Sequence, residues 1–257
     1  MLSPSSDLSP DLSEVRRLEE LAFAAWPALE ARDVAGWRLR FSCGYTKRAN
    51  SINALGQDAQ ADPTTVDGLE AAYRERGQPA VWRLSPLAPA AIAGVLEARG
   101  YRTIERSLVQ VRPLDRAFTL APEVRVHAQP TESWIEAFAA HSPVRPEHRD
   151  AMRRMLTAIA APVGFAFVEK AGRPMAMAIG VVNGEHMGLF DVLVMPEARR
   201  RGLARKVTES LYAWARDRGA RFAYLQVVAT NSAAMPLYQA QGFRTVYAYE
   251  YRVPSRT

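Results

Sequence analysis

Cysteine is nearly absent from this chain: Cys43 stands alone among 257 residues. An internal disulfide framework is excluded, and a single thiol fits a reducing compartment such as the cytoplasm. Cys43 has no local histidine at a nucleophile's usual spacing and reads as a small packed residue. Four scattered histidines with one cysteine make no zinc pattern, so no metal is expected. No run approaches about eighteen uninterrupted apolar residues, so no membrane-spanning helix is expected. The first twelve residues, MLSPSSDLSPDL, lack the basic start and apolar core of a signal peptide. Rich in Ser, Pro and Asp, residues 1–12 are expected to form a disordered lead-in. Lysine is scarce as well, found at 47, 170 and 206. The net charge of +6 is carried by arginine in an alanine-rich chain, a pattern of GC-rich coding. No basic run is interleaved with stacking aromatics, so no nucleic-acid partner is expected.

What is present fits a globular protein, 48% hydrophobic and 23% charged, long enough for one large or two small domains. The informative stretch lies between 187 and 243. Met187 to Val194 (MGLFDVLV) is almost wholly apolar and predicts a buried strand. Pro196 and then Arg199-x-x-Gly202-x-Ala204 follow. Leu203, Val207, Leu211 and Trp214 next recur on one face of a helix over 202–218, with Gly219 placed as its C-terminal cap. A helix N-terminus reached through a small-residue turn presents unpaired N–H groups and the positive end of the dipole. That is an anion site suited to a pyrophosphate, and Gly202 and Ala204 let phosphate oxygens approach the backbone. Arg199, Arg200 and Arg201 add charge. Taken alone, the turn is equally compatible with a solvated basic corner. A second strand, 222–228, leads into Asn231-x-x-Ala234-x-x-Leu237-Tyr238-x-x-x-Gly242-Phe243 and a last strand over 243–253. Asn231 or Ser232 caps the intervening helix and Gly242 closes it.

These two motifs, in this order and spacing, resemble the GCN5-related N-acetyltransferases over residues 124–257. The resemblance implies a mixed sheet flanked by helices, with two central strands that splay apart to admit acetyl-CoA. It places backbone groups near Leu193 and Val194 along the pantetheine arm. The turn Arg199, Arg200, Arg201, Gly202, Leu203, Ala204 and Arg205 would lie around the pyrophosphate, Asn231 on the pantetheine side, and Tyr238 near the sulfur. Pro236 conflicts with a helix interior and requires the helix to start near Ala233 or later.

Acyl transfer to an amine poses two proton problems. An alkyl amine of pKa about 10.4 is mostly protonated at neutral pH, a deficit of roughly 4.6 kcal/mol. A thiol of pKa about 8.5 departs as thiolate at a cost of only roughly 2 kcal/mol. Neutralising the amine therefore matters more than protonating the sulfur. Tyr238 is the acid candidate. Asp191, the one carboxylate inside MGLFDVLV, is the base candidate, because a buried acid must be paired or functional. Glu185 and His186 rank behind it, and a water chain is the alternative.

The N-terminal half carries a weak repeat of the C-terminal one. At an offset of 142, residues 74–104 align without gaps on 216–246, with eight of thirty-one positions identical. Gly100-Tyr-Arg-Thr falls on Gly242-Phe-Arg-Thr, which argues for two copies of one unit. Pro89 occupies the place of Asn231 and Leu96 that of Tyr238, and no Arg-x-x-Gly-x-Ala precedes the first copy's helix. The expected organisation is thus tandem lobes of α/β (α+β) class, each a mixed, mainly antiparallel sheet flanked by helices. Residues 13–115 form a degenerate lobe and 124–257 the catalytic one, with a linker over 116–131 punctuated by prolines. Helices are expected over 133–140 and 147–161, and strands over 165–168 and 175–182. The cluster Gly44-Tyr-Thr-Lys-Arg48-Ala-Asn50-Ser51 resembles a stretch that faces the gap between lobes in two-lobe bacterial acetyltransferases. Arg48, Asn50 and Ser51 are substrate-binding candidates there, with a hydrogen-bonded turn as the alternative. His141, Arg145 and His148 are weaker candidates. The expected activity is direct acetyl transfer from acetyl-CoA to a primary amine, by preference of a small molecule. A non-catalytic acyl-CoA sensor is the rival, and a homodimer is left open.

Overall fold

Asp11, at the end of the expected lead-in, is a helix cap. Its carboxylate accepts from the Ser13 N–H at 2.9 Å and starts α1 (Leu12–Ala25), which buries Val15, Leu18, Ala22 and Ala25. Asp11 and Leu12 therefore belong to this helix rather than to the expected lead-in, because the capping acid is followed by an amphipathic repeat. The computed structural model describes residues 10–142 and 144–255, so residues 1–9 lie outside it. After α1 come β1 (Glu30–Val34), β2 (Trp37–Phe41), β3 (Ile52–Ala54), α2 (Pro63–Arg74), β4 (Trp82–Leu84), α3 (Ile92–Ala98) and β5 (Tyr101–Pro113). The second half runs β6 (Val124–His127), α4 (Glu132–His141), α5 (Arg149–Thr157), β7 (Val163–Lys170), β8 (Arg173–Asn183), β9 (His186–Val194), α6 (Leu203–Arg216), β10 (Phe222–Val228), α7 (Ala234–Ala240) and β11 (Arg244–Pro254). The expected linker over 116–131 contains β6, an edge strand whose Val124 and Val126 pair with Val168 and Ala166 of β7.

All eleven strands join one sheet, in the order β1-β2-β3-β4-β11-β5-β10-β9-β8-β7-β6. The pairs β3–β4 and β9–β10 are parallel, and the other pairings among the described residues are antiparallel. This is the mixed, helix-flanked architecture expected, with one feature that the strand pattern did not announce. β11 lies between β4 and β5 of the first half, and β5 lies between β11 and β10 of the second. Each half lends the other a strand. β5 and β11 pair with Tyr249 opposite Ser107, residues that the repeat offset makes equivalent, so a pseudo-twofold axis passes through that pair. α3 and α7 coincide at both ends under the same offset, and α2 and α6 end on the equivalent Arg74 and Arg216.

The helix that carries the expected anion site is seated tightly. Val207, Leu211, Tyr212 and Ala215 of α6 are buried against the sheet. A Cβ added at Gly180 would lie 3.1 Å from Leu211 Cδ2, and one at Gly164 would lie 2.8 Å from Val126 and 3.1 Å from Trp214. Two strand glycines thus let α6 approach the sheet. Filling either position would overpack the contact, at about 1–3 kcal/mol. The first half is cored by Trp37 and Trp82, edge-to-face at 5.0 Å and fully buried. α4 anchors to the sheet through Trp134, stacked on Phe138 and edge-on to Phe165.

Candidate active site

β9 and β10 lie side by side only from His186/Phe222 to Leu189/Leu225. Beyond this point β9 continues to Val194, while the end of β10 pairs with β5. The strands therefore splay at Leu189, as the family resemblance implies. A bulge sits at the parting. The β8–β9 register slips between Met177 and Ile179, and Asp191 adopts φ +49° opposite the slip. A bulge bends its strand and re-aims a side chain, and here the backbone of 190–194 is left without a β10 partner.

β9 then delivers the chain through a 3-10 turn, Pro196–Ala198, to the start of α6. Arg200 has φ +62° and Gly202 φ +74°, and α6 has neither a side-chain cap nor an acidic residue in its first turn. A left-handed residue at a turn aims successive N–H groups toward one point, forming an anion-binding nest. A Cβ at Gly202 would meet no atom within 4 Å, so the space in front of the helix is open. Arg199, Arg200 and Arg201 are exposed and form no ion pair among the described residues. Arg205 is tied to Glu209 at 3.1 Å. These features fit a pyrophosphate: unused donors, positive charge and room.

The Pro236 conflict resolves in the way the sequence required. α7 begins at Ala234, so Pro236 falls in the first turn, where its missing N–H is not needed. Asn231 Oδ1 accepts from the Ala234 N–H at 3.1 Å and so serves as a cap. Gln241 fastens the far end of α7 to α6, accepting from the Tyr212 hydroxyl at 2.9 Å and donating to Thr208 at 2.6 Å. Tyr238 is held between these points, 7% exposed. Burial, helped by the charge of Asp191, pushes its phenol up to about 12, so it remains a proton donor throughout the neutral range.

Tyr238, Asn231 and Asp191 meet in a cleft of about 530 Å³ whose opposite wall comes from the first half of the chain. Arg48 Nη2 donates to Asp191 Oδ1 at 3.0 Å, a contact spanning 143 residues. The Arg48 guanidinium lies 4.9 Å from the Trp26 ring centroid and 5.8 Å from that of Phe190. Burial alone would lower its pKa, but Asp191, Tyr249 and Tyr251 outweigh burial and hold it above the ordinary arginine value. At the rim, Lys47 pairs with Glu105 at 3.0 Å. Thr46, Glu105 and Asp191, all non-glycine residues lining the cleft, have φ of +55°, +45° and +49°. Asp191 Oδ2, Thr46 Oγ1 and the Tyr251 hydroxyl are buried there without hydrogen-bond partners among the described residues. Strained backbone and orphaned polar atoms gather where ligands are handled.

Other candidates are placed elsewhere. Asn50 does not reach the cleft. Its amide oxygen accepts from the N–H groups of Ser42 and Gly44, and its nitrogen donates to the carbonyls of Tyr45 and Thr46. It is the clasp of the loop that presents Arg48. Ser51 is fully buried beside Asn53, where its Oγ contacts the Asn53 amide. Glu185 and His186 sit at the start of β9, away from the bulge. Glu185 pairs with Arg221, and His186 stacks on Phe222 with its pKa lowered by burial. Arg145 lies 3.2 Å from His148 Nε2, beneath Tyr45, and His141 is exposed; none of the three lines the cleft. Cys43 is exposed in a positive-φ turn, not packed. The sequence reading missed Lys47, Glu105, Trp26, Gln226, Tyr249 and Tyr251. Lys47 lies in the 44–51 cluster but was not singled out, no motif covers Glu105 or Trp26, and the exchange of β5 and β11 creates the surroundings of the tyrosines.

Comparison with known proteins agrees with this geometry. The model of the family described as "Probable histone acetyltransferase Rv0428c C-terminal" matches residues 12–252. The uncharacterized N-acetyltransferase YobR of Bacillus subtilis is 26% identical over 252 residues, covering 94% of this chain and 99% of the relative. The probable histone acetyltransferase Rv0428c of Mycobacterium tuberculosis is 30% identical over 243 residues, covering 90% of this chain and 70% of the relative. A tandem GNAT protein from the clavulanic acid biosynthesis pathway shares the fold, with a TM-score of 0.62 at 12% identity over 93% of this chain and 89% of its own. A family match across nearly the whole chain, joined to splayed strands and an uncapped turn at Gly202, makes this protein a GCN5-related N-acetyltransferase of the family that includes the mycobacterial enzyme's C-terminal region.

Proposed function

We propose that the protein moves an acetyl group directly from acetyl-CoA to a primary amine of a small molecule, with no covalent enzyme intermediate. The observation that carries this reading is the cleft at the β9–β10 splay lined by Tyr238 and by Asp191, the latter on the strand that leads on to the uncapped N-terminus of α6. In this reading the N–H groups and arginines of Arg199–Arg205 hold the pyrophosphate, and the edge of β9 at Leu193 and Val194, which lacks a β10 partner, lies along the pantetheine. When bound, acetyl-CoA supplies an activated thioester. The amine nitrogen bonds to the thioester carbon as the C–S bond breaks. Backbone N–H groups along 190–194 stabilise the oxyanion. Tyr238 gives its proton to the departing sulfur, and Asp191 takes the amine proton, directly or through water. The name of the mycobacterial relative points to histones. A cleft of about 530 Å³ lined by both halves of the chain instead has the size of a small-molecule site.

Calorimetric titration of acetyl-CoA tests the donor half. Wild-type protein is expected to bind at micromolar Kd, and Gly202→Glu to weaken binding at least about 100-fold by placing a carboxylate where the pyrophosphate belongs. A folded wild-type protein that does not bind acetyl-CoA would overturn the proposal.

A further inference from the structure

Resting on that reading, we propose that the acceptor carries a carboxylate next to its reactive amine, as an α-amino acid does. Arg48 receives the carboxylate while Asp191 faces the amine. Arg48 is the cation on the cleft floor with donors to spare. It spends one contact on Asp191, and its other guanidinium N–H groups have no side-chain or backbone partner among the described residues. Rings of Trp26 and Phe190 flank the guanidinium and fix its direction. A planar, pre-oriented guanidinium is suited to a planar carboxylate. The neighbouring Asp191, 3.0 Å from Arg48 and also lining the cleft, adds the complementary charge, so positions for an anion and for a cation lie side by side on the same wall. Its Oδ2 has no hydrogen-bond partner among the described residues, so the carboxylate is not saturated by the protein.

Charge balance decides against the alternatives. Lys47 is engaged by Glu105 at the rim, so the four charged side chains of the cleft sum to zero. A diamine would leave the Arg48 donors unmatched and add like charge beside them. A dianionic phosphate would satisfy Arg48 but be repelled by Asp191 more strongly than a monoanionic carboxylate. A zwitterion satisfies both partners. A site whose polar groups are left unpaired by an analogue rejects it strongly.

The test measures thiol release from acetyl-CoA with each of the twenty protein-forming L-amino acids, with the amine that remains when its carboxyl group is removed, and with O-phosphoethanolamine. For at least one amino acid, wild-type kcat/KM is expected to exceed that of the matching amine by about 100-fold or more. Arg48→Met is expected to erase this preference mainly through KM, and Arg48→Lys, which keeps the charge, to retain part of it. The acetyl-CoA Kd of both variants should stay at the wild-type value, which also reports that they are folded. Decarboxylated amines or O-phosphoethanolamine serving equally well would overturn the proposal. So would an equal loss of both series in Arg48→Met. Acetyl-CoA binding without turnover of any amino acid overturns this proposal alone, whereas no acetyl-CoA binding overturns the donor reading and the acceptor proposal with it.

Discussion

α2 and α6 occupy equivalent places in the two halves and end on equivalent arginines, but they begin in opposite ways. α2 is closed by its own sequence. The Asp62 carboxylate accepts from the Thr65 N–H at 3.0 Å and from its hydroxyl at 2.6 Å, and Pro63 fills the first position. α6 begins at a left-handed Gly202, without a cap, behind three exposed arginines. One helix supplies its own anion and the other leaves the place open. The contrast continues along the sheet. β9 and β10 part, whereas β3 stays paired to β4 at Trp82 and Arg83, both buried, with the Arg83 guanidinium bound by Glu19. Leu96, fully buried, stands where the second half has Tyr238. A shared fold thus hosts a site in one copy and a packed core in the other, and the difference lies in caps and fillers rather than in topology.

The comparison is broken most severely by separating the halves. Residues 124–257 produced alone would lack β5 and leave a gap between β10 and β11, so no cooperative thermal unfolding is expected. Co-production with residues 10–115 should restore it. A lone second half that melts cooperatively and binds acetyl-CoA would show that the strand exchange is dispensable. Next in size, Tyr238→Phe should lower kcat about 30-fold, the equivalent of roughly 2 kcal/mol for unassisted thiolate departure, with acetyl-CoA affinity unchanged. Leu96→Tyr in the first half should leave the rate unaltered while lowering Tm, since it buries a hydroxyl where Leu96 was sealed. Either variant moving the other's readout would dissolve the division of labour.

The smallest effect sharpens the contrast between caps. Asp62→Ala should lower Tm by a few degrees at neutral pH without changing the acetyl-CoA Kd. Hydrogen bonds from the Thr65 hydroxyl and N–H hold the Asp62 carboxyl below its ordinary value of 3.8. The folded pKa is depressed, so its stabilisation is present above 3.8 and fades as pH falls through the folded value. The difference in Tm between wild type and variant should therefore shrink as the solution is acidified through that folded value. A difference that persists in acid would assign the effect to packing.

Much of the second half was legible because its signals are local. The apolar run ending at Val194, the turn to Gly202 and the face of Val207 and Leu211 each involve residues within a few turns of one another. Pro236 even fixed where α7 starts. Asn50 shows where such reading fails. A polar residue in a turn looks the same whether its amide faces a ligand or clasps four backbone groups, and the partners decide. An acid inside an apolar strand needs a partner, and for Asp191 the structure supplies Arg48. The bulge that turns it with φ +49° leaves no mark in an apolar strand pattern.

The elements, the glycine turn before α6, the tyrosine motif and the internal repeat can all be read from the chain, because capping, periodicity and turn chemistry act over short stretches. The tertiary structure alone decided that β5 and β11 change places and that Arg48 meets Asp191 across 143 residues. The physical reason is that a strand's alternation specifies which face is buried but not which neighbour supplies its hydrogen bonds, so partners distant in sequence are chosen only when the whole sheet closes.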